Sequence, residues 1–276
     1  MDWNLLYPQG LKKALTFSYD DGQIHDRRLV ETLNRYGMKG TFHLNSGTLS
    51  TRISFDTLDT EGFVTKNEIA SLYKGHEIAC HGVRHAWLTQ LTKEQLLREI
   101  WEDRRALEQI SGYPVCGMSY AFGVYCDEAI QVLKMTGIEY SRTVESTNKF
   151  TIPPDFLRWG PTCHHNDNVL DLAADFLYQS PYQKLSLFYV WGHSYEFDRD
   201  NNWDVIEEFC KRLAFNSEIW YTTNIEFVRY IRAVKSLVSD VDGSMIYNPS
   251  GLTVWVKAAD SRILQISPGS MIYINK

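Results

Sequence analysis

The chain has 276 residues, 44% hydrophobic and 13% aromatic, which is enough to bury a large core and excludes a disordered chain. A formal net charge of −6 argues against nucleic-acid and anionic-membrane partners, which favour a basic face, and fits a neutral or cationic substrate. Five cysteines without a Cys-x-x-Cys pair leave at least one thiol unpaired in any disulfide scheme, so a reducing, cytoplasmic compartment is the simpler reading, although a chain trimmed of an export signal would read the same way.

In chain order, the first residues lack a basic stretch followed by an apolar one, and no apolar run approaches a membrane span. Short apolar strands then alternate with amphipathic helices. Strands are expected at 14–19, 40–44, 77–80, 115–119, 138–143, 185–191 and 219–221. Between them, Thr65-Lys-Asn-Glu68, Thr92-Lys-Glu-Gln95 and Thr223-Asn-Ile-Glu226 match the capping box, in which a hydroxyl and a side-chain carbonyl satisfy free amides of the first turn, so each should open a helix. After Thr92, Leu96, Ile100 and Leu107 share one face while Glu99, Asp103 and Arg105 fall elsewhere, the pattern of a scaffold helix packed on a sheet.

Seven βα repeats imply a parallel sheet, as a barrel or a doubly wound sheet, and both place ligands at the carboxyl ends of their strands. After about Lys235 the pattern becomes alternating, as in Leu252-Thr-Val-Trp-Val256 and Met271-Ile-Tyr-Ile-Asn275, with Gly243, Pro249, Gly251, Pro268 and Gly269 as punctuation. This predicts a catalytic domain over residues 1–236 and a small β appendage over 237–276. The appendage is expected to cover one end of the main domain; the alternative puts Trp255 on a substrate-facing surface.

Two segments carry chemistry. Thr16-Phe-Ser-Tyr-Asp-Asp-Gly22 ends a predicted strand on adjacent carboxylates, which repel each other unless a metal or another cation is at hand. His81-Gly-Val-Arg-His85 follows another predicted strand and spaces two imidazoles four apart, as one ion requires. Asp20, Asp21, His81 and His193 all fall at or just after predicted strand ends, which points to one site.

Over roughly residues 10–235 these segments resemble the polysaccharide deacetylases, the NodB-homology carbohydrate esterases. The resemblance rests on Thr16 to Gly22, on Thr41-Phe-His-Leu-Asn45, and on Gly75-His-Glu-Ile-Ala-Cys-His-Gly-Val-Arg-His85. It implies a distorted (β/α) barrel of about seven strands that removes N- or O-linked acetyl groups from a carbohydrate by attack of metal-bound water. Carried across, Asp20 is the base, Asp21, His81 and His85 hold the ion, and Phe122 in Ser119-Tyr-Ala-Phe-Gly123 lends its backbone amide to the oxyanion. His193, after a late hydrophobic strand, is the acid, with Glu196 three residues on to orient it. Zinc is the expected ion, with cobalt, nickel, iron and manganese as alternatives.

The chain also departs from that pattern. Ser119 stands where many relatives have an arginine against the base, and Arg158 is the expected replacement. Trp159, Trp191 and Tyr120 are the expected substrate contacts. Gly192 replaces a common leucine of the acetyl pocket, and Gly82 replaces a hydroxyl residue after the first metal histidine. Thr162-Cys-His-His165 has no role in the pattern, and a second metal site there is the lesser reading. His76 is expected to be a structural hydrogen bonder, and His25 and His43 pocket-lining or solvated. The competing functions are an allantoinase-like amidohydrolase and an inactive sugar-binding relative.

Overall fold

A computed structural model describes residues 3–49, 62–179 and 184–274. After β1 (Trp3–Leu6), the chain runs through β2 (Lys13–Asp21), α1 (Asp26–Arg35), β3 (Gly40–Leu44), α2 (Ile69–Leu72), β4 (Glu77–Cys80), α3 (Lys93–Ser111), β5 (Gly117–Ser119), α4 (Asp127–Met135) and β6 (Tyr140–Arg142). It continues through β7 (Cys163–His164), α5 (Val169–Leu177), β8 (Ser186–His193), α6 (Ser194–Arg199), α7 (Trp203–Leu213), β9 (Ile219–Tyr221) and α8 (Asn224–Lys235).

The strands form one parallel sheet in the order β6-β5-β4-β3-β2-β8-β7. β9 pairs with the first half of β2 and β3 with its second half. The sheet curls into the expected distorted barrel because one segment reaches both of its edges. Trp159 bridges to Arg142 on β6, and Cys163–His164 pairs with β8. β7 is too short for periodicity to reveal, so it is absent from the predicted strands. Interior side chains of β2, β3 and β8 are buried along nearly their whole length, as in parallel strands covered on both faces.

Two of the three capping boxes form. Thr92 and Thr223 each accept from the amide three residues on, and Gln95 and Glu226 return to the cap amides. At Thr65 the hydroxyl instead donates to Glu68, which Arg27 also grips, and the helix starts later, at Ile69. Leu96, Ile100 and Leu107 pack inward as predicted, but Glu99 and Asp103 are buried too. α3 is therefore more than scaffold, as the site shows below.

The C-terminal strands are β10 (Val238–Ser239), β11 (Met245–Tyr247), β12 (Val254–Ala258), β13 (Ile263–Ile266) and β14 (Met271–Tyr273), arranged as two antiparallel sheets. The N-terminal strand β1 pairs with β12, from Trp3 opposite Ala258 to Leu6 opposite Trp255. We propose the division at 236/237 with this amendment: Trp3–Leu6 goes with the C-terminal sheets. Trp255 packs toward Tyr230 of α8, within a core shared by Tyr7, Phe227 and Val256. All five cysteines are free thiols, and among the described residues no helix is long and apolar enough to cross a membrane.

Candidate active site

β2 delivers Asp20 and Asp21 to the carboxyl end of the barrel, with Asp20 in register with His43 on β3 and His193 on β8. Asp21 ends the strand at φ +77°, and His85 and Phe122 also sit at positive φ, +55° and +59°. Non-glycine residues rarely hold this conformation, at a cost of roughly 1–3 kcal/mol each, and they gather where a site over-determines the backbone.

Asp21 Oδ1 lies 3.6 Å from His81 Nε2 and 3.8 Å from His85 Nε2, and ligand atoms of the three residues fall within 4.8 Å of one another. His81 Nδ1–H donates to the Ser119 carbonyl at 3.0 Å, which leaves the lone pair of Nε2 facing Asp21. That Nε2 is buried with no hydrogen-bond partner among the described residues. An orphaned buried nitrogen beside a carboxylate and a second imidazole fits the donor set of a divalent transition ion. Burial first, and then His81, lowers the His85 pKa and keeps that ring in its ligating, neutral form.

α3 braces this loop from behind. Asp103 accepts from the amides of Ser46 at 2.8 Å, His81 at 3.1 Å and Gly82 at 3.0 Å, and Glu99 accepts from Arg84 N–H at 2.6 Å. Gly82 takes φ +84°, and a Cβ there would stand 3.0 Å from Glu99 Oε1, so the missing hydroxyl residue is explained by backbone conformation and this contact.

Asp20 is buried, and the arginine that meets it is Arg142 at the end of β6. The guanidinium also donates to Ser18 Oγ and the Thr143 carbonyl, and lies 4.2 Å from the centre of the Trp191 ring. Burial alone would raise the Asp20 pKa, but Arg142, then His81 and His43, hold it well below the usual carboxylate range. Ser119 is a partner as well: its hydroxyl, 2.7 Å from His81 Nδ1, donates to Asp20 Oδ1 at 3.1 Å. Arg158, the expected replacement, is instead on the surface with Asp155 and Asp127. Sequence offered one faint signal for Arg142, a charge near the end of a predicted strand.

Other expected residues divide the same way. Trp191 lines the site between Arg142 and the His164 and His193 rings. Trp159 is core, packed among Tyr140, Tyr189 and Phe227, and Tyr120 is buried with its hydroxyl on the Leu157 carbonyl. His43 is neither solvated nor open to the pocket; it is fully buried against Ser18, and burial pushes its pKa down to about 3. His76 is the structural bonder expected, linking Gly40 N–H to the Asn34 side chain. His25 faces Asp198 at 3.8 Å.

His193 Nδ1 lies 3.3 Å from Glu196 Oε2, and the same oxygen is 2.9 Å from His164 Nε2. Asn166 N–H donates to His164 Nδ1, which puts the ring proton on Nε2, facing Glu196. Glu196 Oε2 thus lies between the His164 and His193 rings, close enough to act on both by charge, and a ring nitrogen that carries a proton, as His164 Nε2 does, does not ligate a metal. Burial lowers the His193 pKa, but Glu196, Asp21 and Asp20 outweigh it and raise the pKa above the usual value. A Cβ at Gly192 would strike the His165 ring at 2.0 Å, so that glycine makes room for this histidine.

Residues 8–141 match the family model described as polysaccharide deacetylase. That is the family whose motifs the sequence resembles. Among solved structures, this barrel is similar to a candidate polysaccharide deacetylase from Mycobacterium smegmatis, with TM-score 0.60 and 16% identity over 84% of this chain and 94% of that one. It is also similar to the Xyl-CE4 domain of a multidomain xylanase from the hindgut metagenome of Trinervitermes trinervoides, with TM-score 0.53 and 16% identity over 80% and 92% of the two chains. Against a Streptococcus pyogenes deacetylase the TM-score is 0.42 at 18% identity over 47% of this chain, which spans 55% of that one. No protein of curated function matches. At these identities the likeness to solved structures speaks for the fold.

Proposed function

We propose that this protein is a member of the polysaccharide deacetylase family and a metal-dependent hydrolase that removes N- or O-linked acetyl groups from a carbohydrate. The observation that carries the reading is the meeting, at one barrel mouth, of an ionised buried carboxylate, an Asp-His-His set with an orphaned ring nitrogen, and a histidine whose pKa is raised by the glutamate and aspartates around it. Asp21, His81 and His85 would hold the ion, and zinc suits one carboxylate and two imidazoles. When bound, such an ion supplies Lewis acidity that acidifies water and polarises an acyl oxygen.

The protein's own groups do the rest. Asp20, kept ionised and oriented by Arg142 and Ser119, accepts the proton of the attacking water. The Phe122 amide donates to the oxyanion that forms. His193, with Glu196 behind its Nδ1, delivers a proton to the leaving nitrogen or oxygen.

The direct test is acetate release from N-acetylated chito-oligosaccharides and from acetylated xylan. Acetate is expected from at least one, is lost after chelation and returns with zinc. Binding of either glycan without acetate would favour the inactive sugar-binding relative; ring opening of a cyclic amide, also without acetate, would favour the amidohydrolase.

The acid assignment has its own signature. His193 must be protonated to donate, so kcat/KM should hold at lower pH and fall as pH rises through a pKa that lies above 6.5. Glu196→Gln removes a charge that raises that pKa, so the alkaline limb should move toward acid. A pH profile unmoved by this substitution would remove the pair from the proton path.

A further inference from the structure

Trp87 and Phe122 stack with ring centroids 4.2 Å apart and planes within 13° of parallel. Both lie at the mouth of the site, since the Phe122 ring also meets the His85 ring edge-on at 4.4 Å. Trp87 is nevertheless 43% exposed and Phe122 45% exposed. With one face of the indole covered by Phe122, the opposite face and the edges are what the ring has left to offer a ligand.

The backbone holds the pair in place. Phe122 sits at φ +59° and is followed by Gly123 at φ +72°, where a Cβ would strike Val144 at 2.3 Å. Single exposed aromatics are ordinary, but an indole stacked on a second ring that is itself fixed against a candidate metal ligand is a flat, rigid apolar surface that costs little entropy to use. A pyranose ring has a matching face of C–H groups, and its hydroxyls can stay in water at the rim.

Resting on the deacetylase reading above, we propose that Trp87, backed by Phe122, is a stacking platform for a sugar ring next to the one that loses its acetyl group, which makes the substrate an oligosaccharide or polysaccharide. Trp87 sits two residues beyond His85, so the neighbouring ring lies on the His85 side of the site and bears on the chain length preferred.

Calorimetric binding to the zinc-loaded Asp20→Asn protein tests this without any turnover, so a failure to release acetate leaves the readout intact. The probes are N-acetylglucosamine and its β-1,4 tetramer, and acetylated xylose and acetylated xylotetraose. In at least one series the tetramer should bind more tightly than the monomer, and adding Trp87→Ala should reduce that advantage by about tenfold. Trp87→Phe should retain most of it. A tetramer advantage that survives Trp87→Ala, no tetramer advantage in either series, or an equal loss for monomer and tetramer, would overturn the platform.

Discussion

Asp20→Asn should reduce turnover by about 10²–10⁴-fold, the usual contribution of a positioned general base, while the bound-metal content stays that of wild type. The substitution keeps the shape of the side chain and deletes only its charge. Asp21, His81 and His85 are left in place, so a deficit caused by loss of the ion would show as reduced metal in elemental analysis of the same sample. The prediction is sharp because Asp20 has no alternative duty that could produce the same result: it is buried and paired with Arg142 and Ser119 at the end of β2, with Asp21 turned away at φ +77° toward the two histidines. Asparagine keeps one oxygen to accept from Arg142, and the Ser119 hydroxyl can turn to accept from its amide nitrogen, so the barrel should remain folded. Retention of more than a tenth of the wild-type rate would show that another group takes the proton.

Arg142→Met is expected to be the most destabilising single change at the site. It leaves Asp20 buried without its cation, and breaking a buried ion pair from one side typically costs about 3–5 kcal/mol. The sign of the pH dependence follows from the shift at Asp20. In the wild type the folded-state pKa lies below the unfolded value of 3.8, so this group stabilises the fold above that pH, and the contribution is lost as pH falls through the folded value. Without Arg142, burial is opposed mainly by His81 and His43, and the Asp20 pKa rises. The deficit measured by urea unfolding of the metal-free protein should therefore be larger near neutral pH than at about pH 4, where the variant can protonate the carboxyl. Arg158→Ala, which touches only surface carboxylates, should leave both stability and turnover near wild type. A pH-independent deficit in Arg142→Met would assign the loss to packing against Trp191 and not to charge.

The two arginines show where reading the sequence ends. A guanidinium near Asp20 was foreseeable from the buried charge, but which arginine supplies it depends on the β5–β6 pairing that sets Arg142 beside Ser119. In the chain, Arg142 is 122 residues from Asp20 and looks like any charge at a strand end. Asp103 and Glu99 hid for a related reason. Helical periodicity separates apolar from polar faces, and a carboxylate buried to receive backbone amides looks, by its type, like one that faces water.

Sequence alone sufficed for the alternating βα order, three strands residue for residue and two of the three helix caps, and its spacings marked the acidic pair Asp20-Asp21 and the pair His81 and His85, which the structure brings together. These are local properties, written in hydrophobic period, capping chemistry and short spacings. The tertiary structure alone decided that Arg142 and Ser119 hold Asp20, that Trp159 and Tyr120 are core, that Trp87 stacks on Phe122, that β1 joins the C-terminal sheets, and that His164 reaches Glu196 through its protonated nitrogen. Each of these depends on strand register or on which side chain reaches a buried charge first, and long-range pairing sets both.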